Sequence, residues 1–538
     1  MTRANRWILI AAVLGSGAVF LDGTVVNVAL PRIGRDLPSH LFGVLEGQSY
    51  VYNGYLLTLS ALLILAGAIS DFYGRRRMFA VGLGGFGVAS VLCGLAPNME
   101  FLIAFRVLQG AFGALLVPGS LSLITAAFSG EEQGKAFGIW AGASAGTTIL
   151  GPFIGGILVD TVSWRAAFLI NVPFIAVAMY ALLTHVDESH DETATGKFDW
   201  LGAAVVALAV GGLAFGVIYG QQRAWRDPLG FVALGVGVVA TILLPVLMVR
   251  SANPLIPPRL FRSRTFTVTN ISTLVIYGAL YVTFYYLGLY MQGTVGYTAA
   301  AAGLAGIPGT LFLVFFSKRF GTLGARYGPR WFMAAGPVVM ALGVLWYARV
   351  PASTRPWVLV PSNAASFVPP TSYLVDLLPG SILFGMGLMM LVAPLTTALM
   401  SSVPVHNSGV ASAINNAISR VGPQLAGAGI FVALTASFYG TLGNRLPGLD
   451  TGSPSVRAAI SPLNQPQAPP PGYHGAMSDL TSATRQASND AFRLAMLVGA
   501  GLLLVGGVVN AVGIQSQPGK APDARAADPQ GSDAAAVA

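Results

Sequence analysis

Charge is the first thing this sequence lacks. Of 538 residues, 30 are Lys or Arg and 21 are Asp or Glu, 9% together, where soluble proteins carry about 25%. A water-soluble fold is nearly excluded. Cysteine is almost absent as well: Cys93 stands alone, so no intrachain disulfide and no paired-cysteine metal or redox motif can form. No basic stripe interleaved with aromatics occurs, so the net charge of +9 is not a nucleic-acid footprint. Nucleotide use lacks its motif, because Gly130-Glu-Glu-Gln-Gly134-Lys135-Ala136 misses both the P-loop spacing and its Ser/Thr. Gly142-Ala-Ser144-Ala-Gly146 fits GxSxG, yet no strand precedes it and it lies inside an apolar run. His185, Asp187, Glu188 and His190 share a charged loop and read as a solvated run rather than a metal site. No cofactor, no metal and no enzyme activity are expected.

What the chain has is apolar length. Hydrophobic residues make up 54%, 66 residues are glycine, and the mean hydropathy is +0.68. A window of about 19 residues finds runs at about 7–30, 47–70, 78–96, 101–127, 134–159 and 165–184. Two more follow at about 198–220 and 228–249, then six at about 266–291, 299–317, 331–350, 374–399, 408–438 and 491–514. Fourteen spans of roughly 20 residues make an all-α polytopic membrane protein. The first run is longer than a signal-peptide core, which argues against a cleaved leader. With an even count both termini share a side. Seventeen basic residues fall on that side, including Arg75, Arg76, Arg77, Arg259, Arg262 and Arg264, against seven in the opposite short loops. Both termini should be cytoplasmic and the protein should sit in the cell membrane. The segment 439–490, with QPQAPPPG at 465–472, is then an extracytoplasmic loop expected to be mobile, and the tail 515–538 is expected to be disordered.

An internal echo sets the architecture. The loop from Gly67 to Arg77 recurs as Gly321 to Arg330, with Gly67, Tyr73, Gly74 and Arg76 matching Gly321, Tyr327, Gly328 and Arg330 at an offset of 254; Gly151-Pro152 similarly echoes Gly422-Pro423. The expected organisation is a six-helix bundle over 1–184, an inserted helix pair over 198–249, and a second six-helix bundle over 266–514. Repeats of this kind place a substrate site between the halves near the bilayer midplane and make alternating access a rocking motion.

Five segments in order resemble the major facilitator superfamily, and within it the fourteen-helix drug:proton antiporters. They are LDGTVVNVALP at 21–31, the Gly67 to Arg77 loop, RVLQG at 106–110, GPFIGG at 151–156 and WRAAFLINVP at 164–173. Tyr290-Met-Gln292, Gly296-Tyr297 and Pro308 add a match in the second half. The resemblance covers roughly 7–438. It implies the major facilitator fold, two six-helix bundles plus two inserted helices, and a proton-driven exporter of drugs or other amphipathic small molecules. Export of a lipid or cell-envelope precursor is the alternative. The implied partners are a small amphipathic substrate, protons and the lipid bilayer, with no nucleic acid, and a monomer is expected.

Asp22 lies sixteenth in the first run, where a carboxylate costs several kcal/mol unless it pairs, meets water or stays protonated. Its ionisation can therefore track conformation, the property a proton-coupling group needs. Arg106 lies at a depth that allows it to pair with Asp22, or else it snorkels outward; the resemblance implies that Arg106 and Gln109 belong to a motif that acts in proton transfer. Thr24 and Asn27 are structural hydrogen-bonders or, for Asn27, a cavity group. Asp71 and Arg75, in a turn with Gly67 and Gly74, could set a carboxylate against the positive end of the thirteenth helix near Asn407 and Ser408. The resemblance supports reading that contact as a cytoplasmic gate. The second copy carries Ala325 in place of Asp71, so the latch should be one-sided, and Phe72 stands where the family has a basic residue. Gly151, Pro152, Gly155 and Gly156 offer only geometry: a kinked, smooth face, which in the resembling family marks exporters, or generic packing. Tyr281, Tyr285, Tyr286, Tyr290, Gln109 and Arg420 are the remaining cavity candidates. With Asp22 the only carboxylate expected deep in the membrane, neutral or monocationic substrates are favoured over dications.

Overall fold

A chain crossing lipid must satisfy its backbone internally, so each apolar run becomes a helix. The computed structural model describes residues 3–40, 44–189, 198–222, 227–251, 253–360, 362–466 and 468–515, and no strand occurs among them. The first bundle contains α1 (Arg3–Asp36), α2 (Val44–Tyr73), α3 (Arg75–Gly94), α4 (Met99–Ala127), α5 (Gly130–Thr161), the short α6 (Ala166–Leu169) and α7 (Asn171–His185). The inserted pair is α8 (Trp200–Gln222) and α9 (Pro228–Arg250). The second bundle contains α10 (Arg264–Leu289), α11 (Ala299–Tyr327), α12 (Arg330–Tyr347), α13 (Leu378–Ser401), α14 (Ser408–Arg445), the short α15 (Pro454–Ala459) and α16 (Met477–Gly513). Thirteen helices among the described residues are long and apolar enough to cross a membrane. The 38-residue α14 stands in the place of the expected thirteenth span.

Local chemistry sets the helix ends. Asn98 caps α4 by accepting from the Phe101 amide at 3.0 Å, and Ser263 and Thr298 cap α10 and α11 in the same way. The sequence echo is a structural echo. Gly74 (φ 109°) and Gly328 (φ 87°) turn the chain between α2 and α3 and between α11 and α12 in a conformation that side chains resist.

One apolar cluster is built around Phe79, Phe86 and Phe137 of the first bundle and runs on across the interface to Leu399, Met400 and Val410, while another, around Tyr286, Phe384 and Phe492, lies in the second bundle. Between the bundles, α2 packs on α14 and α5 on α11, with α4 also reaching α14. These contacts cluster at the face carrying both chain ends. There Gly67 meets Gly409 backbone to backbone, Gly134 meets Gly321, and the Ser317 hydroxyl donates to the Gly138 carbonyl at 2.7 Å. Toward the opposite face Gly303 and Gly306 of α11 and Gly429 of α14 look onto open space. α1 and α10 make their packing within their own bundles. The cleft between the bundles is thus closed at the face of the termini and open at the other. The inserted pair leans on α2 and α14 through α8, while α9 touches the rest through α8 and exposes Val232, Val239, Ile242 and Val249.

One expectation needs correction. The segment 439–490 is not a mobile loop: α14 continues to Arg445, α16 begins at Met477, and the connection between them is anchored. Val456, Ile460 and Leu463 are buried, the Tyr439 hydroxyl donates to the Ile460 carbonyl at 2.8 Å, and the Gln465 side chain donates to the Thr294 carbonyl at 2.8 Å. A few apolar anchors among the prolines suffice to seat it on the second bundle. The tail beyond Gln515 lies outside the described residues, as do His190 and residues 191–197.

Candidate functional site

Two charged clusters organise the first bundle. In the deeper one, Asp22 of α1 and Arg106 of α4 are both fully buried and form an ion pair through Arg106 Nη1 and Asp22 Oδ2. The second carboxylate oxygen, Oδ1, accepts from Gln109 Nε2 and from Asn171 Nδ2, each at 3.0 Å. Arg106 also donates to Gln109 Oε1 at 2.7 Å and to the Val51 carbonyl at 3.1 Å, and its guanidinium lies 4.0 Å from the centre of the Tyr55 ring. Ser90 of α3 accepts from Gln109 at 2.8 Å and from Asn171 at 3.3 Å. Five helices, α1, α2, α3, α4 and α7, therefore converge on one carboxylate. Two polar atoms in this cluster, Arg106 Nη2 and Asn171 Oδ1, both buried, have no hydrogen-bond partner among the described residues. A buried orphan donor and a buried orphan acceptor beside an ion pair are where a water or a moving proton finds hydrogen bonds.

The glycines of α5 bear on this cluster through α1. Gly151 abuts Thr24 and Gly155 abuts Val25, so α5 approaches α1 within three residues of Asp22, whereas Gly156 faces open space. The side chain of Pro152 lies outside the described residues. Thr24 donates back to its own helix at Leu21, and Asn27 is exposed, with no side-chain bond among the described residues.

The second cluster closes the bundles at the face of the termini. Asp71 Oδ1 accepts from Arg75 Nε and Nη2 at 3.1 and 3.0 Å, and Asp71 Oδ2 accepts from the Val410 amide at 3.0 Å in the first turn of α14. Arg75 reaches on to the Val405 carbonyl, so both members of a buried pair grip the second bundle. The expected contact with the start of this helix falls at Val410, two residues beyond Ser408. Phe72 stacks edge-on against Tyr73 and Phe198 instead of forming an ion pair. In the repeat, Ala325 supplies only a methyl group against Gly134, so no carboxylate stands at the matching place. Glu188, read from sequence as part of a solvated run, instead caps α3, accepting from the Arg76 and Arg77 amides at 3.0 Å each.

The cavity candidates separate. Gln109 is fully buried in the Asp22 cluster. Tyr286 is buried in the core of the second bundle, and Tyr290 stacks on Phe492 with its hydroxyl on Asn489. Tyr281 and Tyr285 stack on each other at 5.2 Å and retain exposure. Arg420 of α14 is partly exposed at the bundle interface. A cavity of about 320 Å³ opens between α10, α11 and α13 beside Phe284, Gln292, Thr310 and Phe384, and one of about 400 Å³ lies between α2, α4 and α8 beside Tyr50, Asn53 and Tyr219. Asn171 and Ser90 were not singled out by the sequence, and Glu188 was named there only as part of a solvated run. Asn171 was visible as the single amide in the run 166–185.

The Major Facilitator Superfamily profile matches residues 12–427. The chain belongs to this superfamily. It is 34% identical over 445 residues to the multidrug resistance protein Stp of Mycobacterium tuberculosis (strain CDC 1551 / Oshkosh), covering 82% of this chain and 78% of that one. It is 33% identical over 429 residues to a puromycin resistance protein of Streptomyces alboniger, covering 78% and 80%. The tetracenomycin C resistance and export protein of Streptomyces glaucescens is 32% identical over 441 residues, covering 81% and 77%. Among solved structures, the human organic anion transporter MFSD10 superposes with a TM-score of 0.58 at 12% identity, over 95% of this chain and 100% of that one. The proton:xylose symporter XylE gives 0.56 at 13% identity, over 94% of each chain. At such identities these structures establish the fold: the superfamily member described here is a multi-pass membrane transporter with the major facilitator architecture.

Proposed function

We propose that the protein is a proton-coupled exporter of amphipathic small molecules, drugs among them, working by alternating access across the cytoplasmic membrane with both termini inside. The observation that carries this reading is the Asp22 cluster, a fully buried carboxylate held by Arg106, Gln109 and Asn171 with an orphan donor and acceptor beside it. Such a group gains or loses a proton only when its partners or its access to water change, which is how protonation becomes tied to conformation. The relatives named for drug resistance support the substrate class. The excess of basic residues on the side of the termini supports the orientation. In that orientation the cleft is closed to the cytoplasm by Asp71, Arg75 and the α14 start, and the conformation faces outward.

The exchange runs as a cycle. In the outward-facing form substrate leaves and Asp22 takes up a proton. Protonation weakens the Arg106 pair and favours release of the Asp71 latch, so that α2 parts from α14 and the cleft opens inward. There Asp22 yields its proton and substrate enters. One charge moved across ~100 mV supplies ~2.3 kcal/mol, roughly a fifty-fold gradient. An efflux-deficient host expressing the protein and challenged with ethidium, puromycin and an aromatic carboxylic acid, with and without a protonophore, tests it. Protection against some of these compounds is expected, abolished by the protonophore and by Asp22→Asn; protection that survives both is incompatible with the reading.

A further inference from the structure

Arg420 lies twelve residues into α14 from Ser408, roughly 18 Å along the helix at 1.5 Å per residue, and so near the middle of a bilayer core of about 30 Å. It is partly exposed, and among the described residues no hydrogen bond or ion pair reaches its guanidinium. Its titratable neighbours come from the opposite bundle, the phenols of Tyr52 and Tyr55 on α2, and Tyr281 of α10 abuts Gly427 two turns further along α14. Arg420, Tyr52 and the stacked Tyr281–Tyr285 pair thus lie around α14 where it faces α2 and α10. The buried carboxylates of the two clusters are held elsewhere. Asp22 is held by Arg106, Gln109 and Asn171, and Asp71 by Arg75 and the Val410 amide.

A guanidinium without a counter-charge at that depth is costly, and a planar anion that pairs with its fork relieves the cost. We propose that Arg420 is an anion-recognition residue of the central site, with Tyr52 and Tyr281 as flanking aromatic surfaces, so that the preferred ligand is a small aromatic molecule bearing one carboxylate. This rests on the exporter reading for its role in transport, and it replaces the sequence-based preference for neutral or monocationic compounds, because among the described residues no deep carboxylate is free to meet a cation.

The test is equilibrium binding to the full-length protein in nanodiscs, with no proton gradient, using dansyl-phenylalanine and its uncharged amide as matched fluorescent probes. The acid is expected to bind at least ~10-fold more tightly than the amide, the yield of one charge-assisted hydrogen bond. Arg420→Gln should erase that preference while leaving binding of the amide intact, which also shows that the variant is folded, and Arg420→Lys should keep part of it. Equal affinities in the wild type, no binding of the acid, or a preference that persists in Arg420→Gln overturns the inference. Failure here with protonophore-sensitive export intact leaves the exporter reading standing; a preserved acid preference with no energised export does the reverse.

Discussion

At the scale of single residues, the structure divides its buried charges by what they are bonded to. Asp22 and Arg106 are both without exposure, and removing one partner strands the other in a medium where an unpaired ion costs about 3–5 kcal/mol. A lone Asp22 can take up a proton and become neutral, whereas a lone Arg106 cannot shed its charge, so Asp22→Asn should lower the thermal unfolding temperature of the purified protein more than Arg106→Ala does, and it should abolish export. A smaller loss of stability in Asp22→Asn than in Arg106→Ala, or intact transport in Asp22→Asn, would contradict the roles assigned. The pairing of these two residues could be anticipated from their depths in separate runs. Asn171 and Ser90 could not, since an amide and a hydroxyl in apolar helices have no sequence spacing that points them at a carboxylate on α1; only the convergence of α3 and α7 does so. Asn171→Ala should lower the rate of proton-coupled export without changing the amount of protein in the membrane, as measured by transport normalised to immunoblot signal.

At the scale of helices, close approach governs both the contact between the bundles and the packing beside Asp22. Gly67 and Gly409 bring α2 against α14 so closely that a side chain at either would push backbone aside. Gly67→Leu should hold the bundles apart at the face of the termini. Cys93 is the chain's only cysteine and is buried, so a single cysteine introduced at Ser412 of α14, itself buried when the gate is closed, reports alone. Its labelling by a maleimide should rise severalfold in the Gly67→Leu background, and unchanged labelling would exclude α2–α14 contact as the barrier. Glu188 adds a second element-scale effect. By accepting from the first amides of α3 it fixes the helix that carries Arg75, and Glu188→Ala should cost about 0.5–2 kcal/mol, the usual value of a lost helix cap, seen as earlier unfolding in a thermal melt. Composition hid that role, because a charged loop after α7 looks solvated until the fold lays it across the start of α3. The anchored connection between α14 and α16 was hidden for a related reason. A Pro- and Gln-rich average conceals the three side chains, Val456, Ile460 and Leu463, that bury themselves.

At the scale of the whole molecule, helix number, the repeat and the bundle interface were readable because each follows from lipid as a solvent: apolar runs must be helices, and a repeated turn with Gly74 and Gly328 must repeat its geometry. Which end of the cleft stands open was not readable, since two alternating states share one sequence. The structure holds the state in which the latch of Asp71, Arg75 and α14 is shut and the far ends of α11 and α14 stand clear. The central claim is that Asp22 carries the proton exchanged for substrate. Purified protein in proteoliposomes with a trapped pH-sensitive dye tests it most directly: an imposed gradient of a transported compound should drive a proton flux in the opposite direction in the wild type and none in Asp22→Asn. A substrate-driven pH change of equal size in Asp22→Asn would contradict the account.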